Sequence, residues 1–75
     1  MDRYLNLGGN SGIRAYEIGI DSIKDMFTTG AVYLYNYAST GMDRVERMKS
    51  LAMQGVGLNS YIGRVIRKSF AARLR

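Results

Sequence analysis

Basic side chains are concentrated toward the end of this 75-residue sequence, where they could contact phosphate groups. Residues 47–75 contain seven Lys or Arg and no Asp or Glu, whereas residues 1–46 contain four basic and six acidic residues. The two parts therefore carry net charges of +7 and −2, and the whole chain carries +5. Charge separated in this way must appear as a positive surface on a small fold, and such a surface favours an anionic partner. The sequence thus predicts a binding module.

Four of these cations have the spacing of one helical face. At about 100° per residue they fall within roughly 100° of arc, opposite the apolar stripe of the same segment. No carboxylate follows Glu46, so none on this segment can pair with them. We predict that they contact RNA phosphates; the alternative is an ordinary polar face that happens to be basic. The predicted contacts are Arg64, Arg67, Lys68 and Arg75, extended by Arg47 or Lys49 on the preceding helix.

Three tyrosines spaced by two form a second candidate surface. Tyr33, Tyr35 and Tyr37 lie in a strand-like run, so their rings would share one face of a sheet. On an open sheet, Tyr33 or Tyr35 could stack an unpaired base. The alternative is that the rings pack beneath the helices, and we favour this for at least two of the three because so short a chain needs the apolar area.

The composition argues against catalysis. The chain contains no His and no Cys, which excludes imidazole or thiolate metal sites and His-based catalytic triads. Among the six carboxylates, Asp43 and Glu46 fall in a first helical turn, where the helix dipole and basic neighbours explain them. We therefore predict a protein that is not an enzyme and that uses no metal and no small-molecule cofactor.

The apolar periodicity changes from two to about 3.6 near residue 40. Strand-like runs at 13–18, 22–27 and 31–37 are joined by short loops, which makes them antiparallel neighbours. A helix is expected from Met42 to Gly55, with Thr40 and Asp43 as a capping box and Gly55 as a left-handed end. A second helix is expected from Asn59 or Ser60 through residue 74. The predicted fold is α+β: a three-stranded antiparallel β-meander followed by two α-helices packed on one face of the sheet.

The N-terminal residues are expected to be loosely held. Residues 8–12 contain three glycines, an asparagine and a serine, a composition typical of a loop. We predict a flexible segment at 1–11 and a single domain at 12–75. The sequence shows no apolar stretch of signal-peptide length and no run that could span a bilayer, which favours a cytoplasmic protein with no membrane partner.

Short motifs across this region resemble a known family. The central motif is Ile23-x-x-x-Phe27-x-x-Gly30-x-Val32-Tyr33-x-Tyr35, and Gly55, Asn59 and Ile62 continue the pattern downstream. Over roughly residues 11–70 the chain resembles the KTSC family, small domains found at the C-terminus of some lysyl-tRNA synthetases and alone in bacterial proteins. Asp25 departs from the pattern, because the family usually has an apolar residue there. The family has no established biochemical activity. The resemblance implies RNA binding only because the domain occurs at the C-terminus of some lysyl-tRNA synthetases.

A second class of function remains open at this point. A chain this short buries only about 60% of the surface that its unfolded form exposes, so one sheet face and two edge strands could be left uncovered. The alternative to RNA binding is therefore a protein–protein interaction or structural module, with self-association as a homodimer. Attraction to acidic lipid is a weaker alternative, because the apolar side of the last helix is needed for the core.

Overall fold

An antiparallel sheet runs through the molecule, with its strands ordered as they occur in the sequence. The computed structural model describes residues 1–9 and 11–75. Within these residues the sheet has five strands, so the α+β class is confirmed and the predicted number of three strands is wrong. The strands are β1 (Asp2–Arg3), β2 (Ile13–Ile18), β3 (Ser22–Phe27), β4 (Val32–Asn36) and β5 (Ala72–Arg73).

The predicted meander forms the centre of this sheet. β2 and β3 have the predicted bounds, and β4 is one residue shorter at each end than the predicted run. β2 and β3 pair with a register shift between Ile13 and Ala15, and β4 pairs with β3 without interruption. β1 and β5 extend the meander at its two edges. They were missed because two residues are too few to show an alternating pattern.

The helical part of the chain departs from the prediction of two helices. The described residues contain α1 (Tyr37–Thr40), α2 (Met42–Gln54), α3 (Leu58–Tyr61) and a π-helical turn, Ile62–Ile66. α1 begins at Tyr37, a residue expected in the strand, because Asn36 caps it. The Ser39 amide donates to Asn36 Oδ1 at 2.8 Å, and the Asn36 amide donates to Ser39 Oγ at 3.3 Å.

α2 is the helix expected from the sequence, although its first turn is built differently. Its N-cap is Gly41, and within the described residues the predicted capping box of Thr40 and Asp43 does not form. The Thr40 hydroxyl instead donates to the Ser69 carbonyl at 2.5 Å. The C-terminal end is as predicted, since Gly55 has a φ of 77° and its amide donates to helix carbonyls.

The last predicted helix is mostly absent, which is the largest correction to the expected fold. The helical conformation ends at Ile66, and residues 71–75 extend along the edge of β4. The Ala71 amide donates to the Leu34 carbonyl, and the Leu74 amide donates to the Val32 carbonyl, each at 2.7 Å. These bonds satisfy backbone groups that would otherwise line an open edge of the sheet. Tertiary pairing thus overrides the helix propensity of residues 71–74.

The core lies between one face of the sheet and the helices. α2 contacts β3 and β4, which agrees with the predicted packing on one face. Ile23 and Tyr35 are cross-strand partners on this face and are fully buried. Tyr4 and Ile13 belong to the same cluster, and the helical residues complete it: Val45, Met48, Leu51, Ala52, Leu58, Ile62 and Ile66.

The N-terminal residues pack against this core, in contrast to the expected loose segment. β1 pairs with β2, and Tyr4 is only 3% exposed. The Tyr4 hydroxyl accepts a hydrogen bond from the Leu58 amide at 3.3 Å, and the Leu7 amide donates to the Gly55 carbonyl at 2.7 Å. Residues 2–7 are therefore part of the folded unit in this structure. Of the predicted flexible segment, Asn10 lies outside the described residues.

Candidate nucleic-acid interface

The chain turns sharply where the π-helical turn ends. The Arg67 amide donates to the Ile62 carbonyl at 2.6 Å, and Arg67 has φ 53° and ψ −117°. This backbone conformation is unfavourable for a residue with a side chain. The Ser69 amide then donates to the Ile66 carbonyl, and the chain proceeds to β5. The turn leaves Arg64, Arg67 and Lys68 exposed.

The cations from Arg64 onward are all exposed, and none pairs with an Asp or Glu side chain in the part of the chain that the structure describes. Lys24–Glu17 at 3.4 Å and Lys49–Glu46 at 2.8 Å are the ion pairs found within 4.0 Å in residues 1–9 and 11–75. Neither pair involves the C-terminal part of the chain, which we call the basic segment and define as residues 64–75. Its cations are Arg64, Arg67, Lys68, Arg73 and Arg75.

The basic segment does not present the predicted helical stripe. Arg64 lies in the π-helical turn, Arg67 and Lys68 follow it, and Arg75 lies beyond β5. Their predicted position on one face required a continuous helix through residue 74, whereas the helical conformation ends at Ile66. The cations are nevertheless carried on one short segment, because the chain returns to the sheet within a few residues of the turn.

Aromatic rings lie beneath part of the basic segment. The guanidinium of Arg73 is 5.7 Å from the centre of the Tyr33 ring, which is within the range of a cation–π contact. The Tyr33 ring packs against Phe70 at 4.7 Å and against Phe27 at 5.6 Å between ring centres. All three rings are half-buried, so the cluster has solvent-accessible ring surface beside a cation.

The tyrosines predicted to stack bases have different environments. Tyr35 is 1% exposed and packs edge-on to Phe70, so it is not available to a base, and burial raises the pKa of its hydroxyl. Tyr33 is half-buried and keeps part of its ring accessible. Tyr37 is also half-buried, and its hydroxyl donates to Glu46 at 2.6 Å, a bond that raises the pKa of Tyr37. Of the two candidate residues, only Tyr33 is placed to contact a ligand.

The two cations proposed on α2 also differ from each other. Arg47 is exposed, as expected of a ligand contact. Lys49 is 8% exposed, and its ammonium group donates to the Ile20 carbonyl at 2.9 Å and pairs with Glu46. The hydrogen bond from Lys49 is the main cause of the lowered pKa of Glu46. The ammonium group of Lys49 is therefore already engaged within the fold, unlike the exposed guanidinium of Arg47.

Several residues of this surface were missed by the sequence analysis. Arg73 was not among the predicted contacts, yet it pairs with Tyr33 across the strands. Phe70 lies in the segment predicted as the last helix, and its ring packs against that of Tyr33. The only signal in the sequence is the weak alternation of residues 70–74, which the helix-forming alanines at 71 and 72 obscure.

Asp25 is the most unusual polar residue in the core. It is fully buried on β3 between its cross-strand partners Tyr16 and Tyr33, and neither carboxylate oxygen has a hydrogen-bond partner among the described residues. Burial raises the pKa of this carboxyl from 3.8 to about 7. The departure from the apolar residue of the resembled family therefore does not expose this face of the strand.

Comparisons with known proteins do not assign the chain to a family. No family model, no curated protein and no solved structure matches it. Within residues 1–9 and 11–75, no three acidic side chains converge in a way that could hold a metal ion. No helix in the same residues has the length and apolar character required to cross a bilayer.

Proposed function

We propose that the protein is a non-catalytic module that binds single-stranded RNA through the basic segment. The observation that carries this proposal is the set of five exposed cations in residues 64–75, none of which pairs with an Asp or Glu side chain in the described structure. Unpaired cations on a short segment attract phosphates and release the counterions that these hold. The resemblance to the KTSC family is consistent with this proposal.

The aromatic cluster supports a single strand as the ligand in preference to a duplex. Bases in a duplex are stacked on each other, whereas an unpaired base can stack on an exposed ring. Tyr33 and Phe70 have accessible ring surface, and Arg73 lies over Tyr33 at a distance suited to contact both a phosphate and a ring. The proposed contacts are Arg64, Arg67, Lys68, Arg73 and Arg75, with Tyr33 stacking a base and Arg47 extending the surface.

Fluorescence anisotropy with a labelled single-stranded RNA tests the proposal. Affinity is measured from about 50 to 200 mM KCl, where each phosphate contact contributes about −0.7 to the slope of log affinity against log salt. The variant Arg64→Gln/Arg67→Gln/Lys68→Gln should therefore reduce the magnitude of the slope by about 2 and weaken binding at least tenfold. Arg44→Gln, an exposed change on α2, is the matched control and should leave both quantities nearly unchanged.

Two outcomes would exclude RNA binding at this surface. One is an affinity that does not depend on salt, and the other is equal binding by the triple variant and the wild type. A duplex of the same sequence serves as a further comparison, and we expect it to bind more weakly because it cannot use Tyr33. Tyr33→Leu should reduce the difference between single strand and duplex.

The second candidate function is self-association, which a separate observation favours. Leu5, Leu7 and Val56 are 60%, 69% and 44% exposed. They lie near one another, because Leu5 approaches Gly55 and the Leu7 amide bonds to the Gly55 carbonyl. Exposed apolar side chains in one place are a common feature of protein interfaces. Light scattering of the wild type and of Leu5→Ser/Leu7→Ser tests this: a dimer that the variant abolishes would favour this function over RNA binding.

A further inference from the structure

A polar groove opens at the other edge of the sheet, between the N-terminal residues and the start of β2. Its volume is ≈ 410 Å³. Its polar lining residues are Arg3, Asn6, Ser11, Arg14 and Thr28. Arg3 belongs to β1, Arg14 to β2, and Thr28 follows β3. The groove thus gathers polar residues from two strands, from the loop that joins them and from the turn after β3.

The lining groups are mainly hydrogen-bond donors. Arg3 and Arg14 are exposed, and neither has a carboxylate within 4.0 Å in the described structure. Asn6 uses its Oδ1 to accept from the Ser11 amide at 3.0 Å, which leaves its NH₂ group free to donate. Ser11 Oγ accepts from the Ile13 amide at 3.0 Å, so its hydroxyl proton is also free. No carboxylate is among the residues that line the groove.

The walls of the groove are fixed by the backbone. The Tyr4 amide donates to the Arg14 carbonyl at 3.0 Å, and the Thr28 amide donates to the Gly12 carbonyl at 2.8 Å. Asn6 has a left-handed φ of 54°, and its carbonyl accepts from the Gly9 amide at 3.0 Å. These bonds fix the backbone that carries the lining side chains, which limits the rearrangement needed to meet an anion.

We propose that this groove binds a phosphomonoester group. Two guanidinium groups, one amide and two hydroxyls supply more donors than a carboxylate can accept, whereas a phosphate with three terminal oxygens can accept them. The planar fork of arginine suits phosphate in particular. This site is separate from the basic segment, because β1 and β5 form opposite edges of the sheet, about 19 Å apart at ordinary strand spacing. The proposal therefore does not depend on RNA binding by residues 64–75.

Titration of the ¹⁵N-labelled protein with inorganic phosphate, followed by NMR at constant ionic strength, tests the proposal. We expect saturable shifts of the backbone amides of Ser11, Ile13 and Thr28. The variant Arg3→Gln/Arg14→Gln should bind phosphate at least tenfold more weakly, and its own spectrum shows whether it is folded. Arg44→Gln is the control, since it removes an exposed cation outside both the groove and the basic segment and should leave the phosphate affinity unchanged.

Further ligands identify the source of the phosphate group. Uridine monophosphate and a short RNA with a 5′-phosphate are compared with inorganic phosphate. Tighter binding of the mononucleotide would identify a free nucleotide as the ligand, and tighter binding of the RNA would identify the end of a strand. Equal binding of all three would show that the groove recognises the phosphate group alone. The proposal is overturned if wild-type shifts do not saturate, if acetate binds as well as phosphate, or if the Arg3→Gln/Arg14→Gln variant binds with wild-type affinity.

Discussion

At the scale of single residues, Asp25 and Lys49 show that a charged residue of a small protein can be buried in the folded structure. Lys49 is buried with its ammonium group satisfied by Glu46 and a carbonyl oxygen. Asp25 is buried with neither oxygen satisfied in the described structure. An unpaired buried carboxyl is costly when ionised and much less so when neutral. Asp25 therefore links the stability of the fold to pH.

The sign of this pH dependence follows from the raised pKa. The folded protein holds the proton of Asp25 up to about pH 7, whereas the unfolded chain releases it near the ordinary value of 3.8. The stability contributed by the neutral carboxyl is thus fully present below about pH 4 and is lost as the pH rises to 7. The raise in pKa from 3.8 to about 7 corresponds to a loss of about 4 kcal/mol in the free energy of unfolding.

Substitution of Asp25 by Asn tests this prediction. Asn has nearly the same shape and cannot ionise, so Asp25→Asn should remove most of the loss in stability between about pH 4 and pH 7. Urea denaturation at several pH values gives the free energies. Asp21→Asn, at an exposed position on the adjoining turn, is the control and should retain the wild-type slope. A slope that is the same in Asp25→Asn and wild type would mean that Asp25 is solvated or paired in solution.

At the scale of elements, the turn after the π-helix decides how the basic segment is displayed. Arg67 has a backbone conformation that suits glycine, and it stands in the segment proposed to bind phosphate. Strained residues of this kind persist where the surrounding structure fixes them, and they are often found at functional sites. Glycine at position 67 would relieve this strain, so the arginine does not favour the turn through its own backbone preference.

Substitutions at Arg67 distinguish the effect of its backbone strain on stability from the effect of its side chain on RNA binding. Arg67→Gly should be more stable than Arg67→Ala by about 1 kcal/mol, because glycine adopts the observed φ and ψ without the Cβ clash. Both variants should lose the same amount of RNA affinity, because both lack the guanidinium. Urea denaturation and anisotropy provide the two readouts. Equal stability of the two variants would show that the turn relaxes when the arginine is removed.

The elements also show what the sequence could predict and what it could not. β2, β3, β4 and α2 were predicted within one residue or so, since each has a local pattern and clear turn residues at its ends. β5 was missed, because its position depends on the free edge of β4, which is distant in sequence. For the candidate site, Arg64, Arg67 and Lys68 were predicted from their charge, and all three are exposed. The contact of Arg73 with Tyr33 was not predicted, because it depends on the pairing of β5 with β4.

At the scale of the whole molecule, residues near both ends of the described chain pair with the edge strands of the central meander. β1 covers the edge of β2, and β5 covers the edge of β4, each with two paired residues. Short edge strands leave little backbone available for pairing with another molecule. The N-terminal residues are further held at Gly55, where Leu5 approaches the end of α2. The fold therefore depends on contacts between residues far apart in sequence.

The contact at Gly55 can be measured with a pair of glycine variants. A Cβ at Gly55 would lie 2.6 Å from Leu5 Cβ, whereas a Cβ at Gly30 would meet no described atom within 4 Å. Both glycines have a positive φ, so both Ala variants lose about 1 kcal/mol from backbone strain alone. Gly55→Ala should lose at least about 1 kcal/mol more than Gly30→Ala in urea denaturation. The extra loss should disappear in a Leu5→Gly background; if it persists there, the N-terminal residues are not docked as described.

Removal of β5 tests whether the last strand serves stability as well as binding. A chain ending at Phe70 loses the bonds from the Ala71, Leu74 and Arg75 amides to β4 carbonyls and the bond from the Val32 amide to the Arg75 carbonyl at 3.3 Å. At about 1 kcal/mol each, these bonds predict a loss of about 4 kcal/mol in the free energy of unfolding. The open edge of β4 should also promote association, which light scattering detects.

The full-length variant Arg73→Gln/Arg75→Gln is the control for this truncation, since it keeps every backbone bond and removes the same two charges. It should retain nearly wild-type stability, remain as monodisperse as the wild type, and bind single-stranded RNA more weakly. If the truncated chain is as stable as this variant, residues 71–75 do not pair with β4 in solution. The aromatic cluster would then lack its Arg73 contact, and the proposed interface would be reduced to Arg64, Arg67 and Lys68.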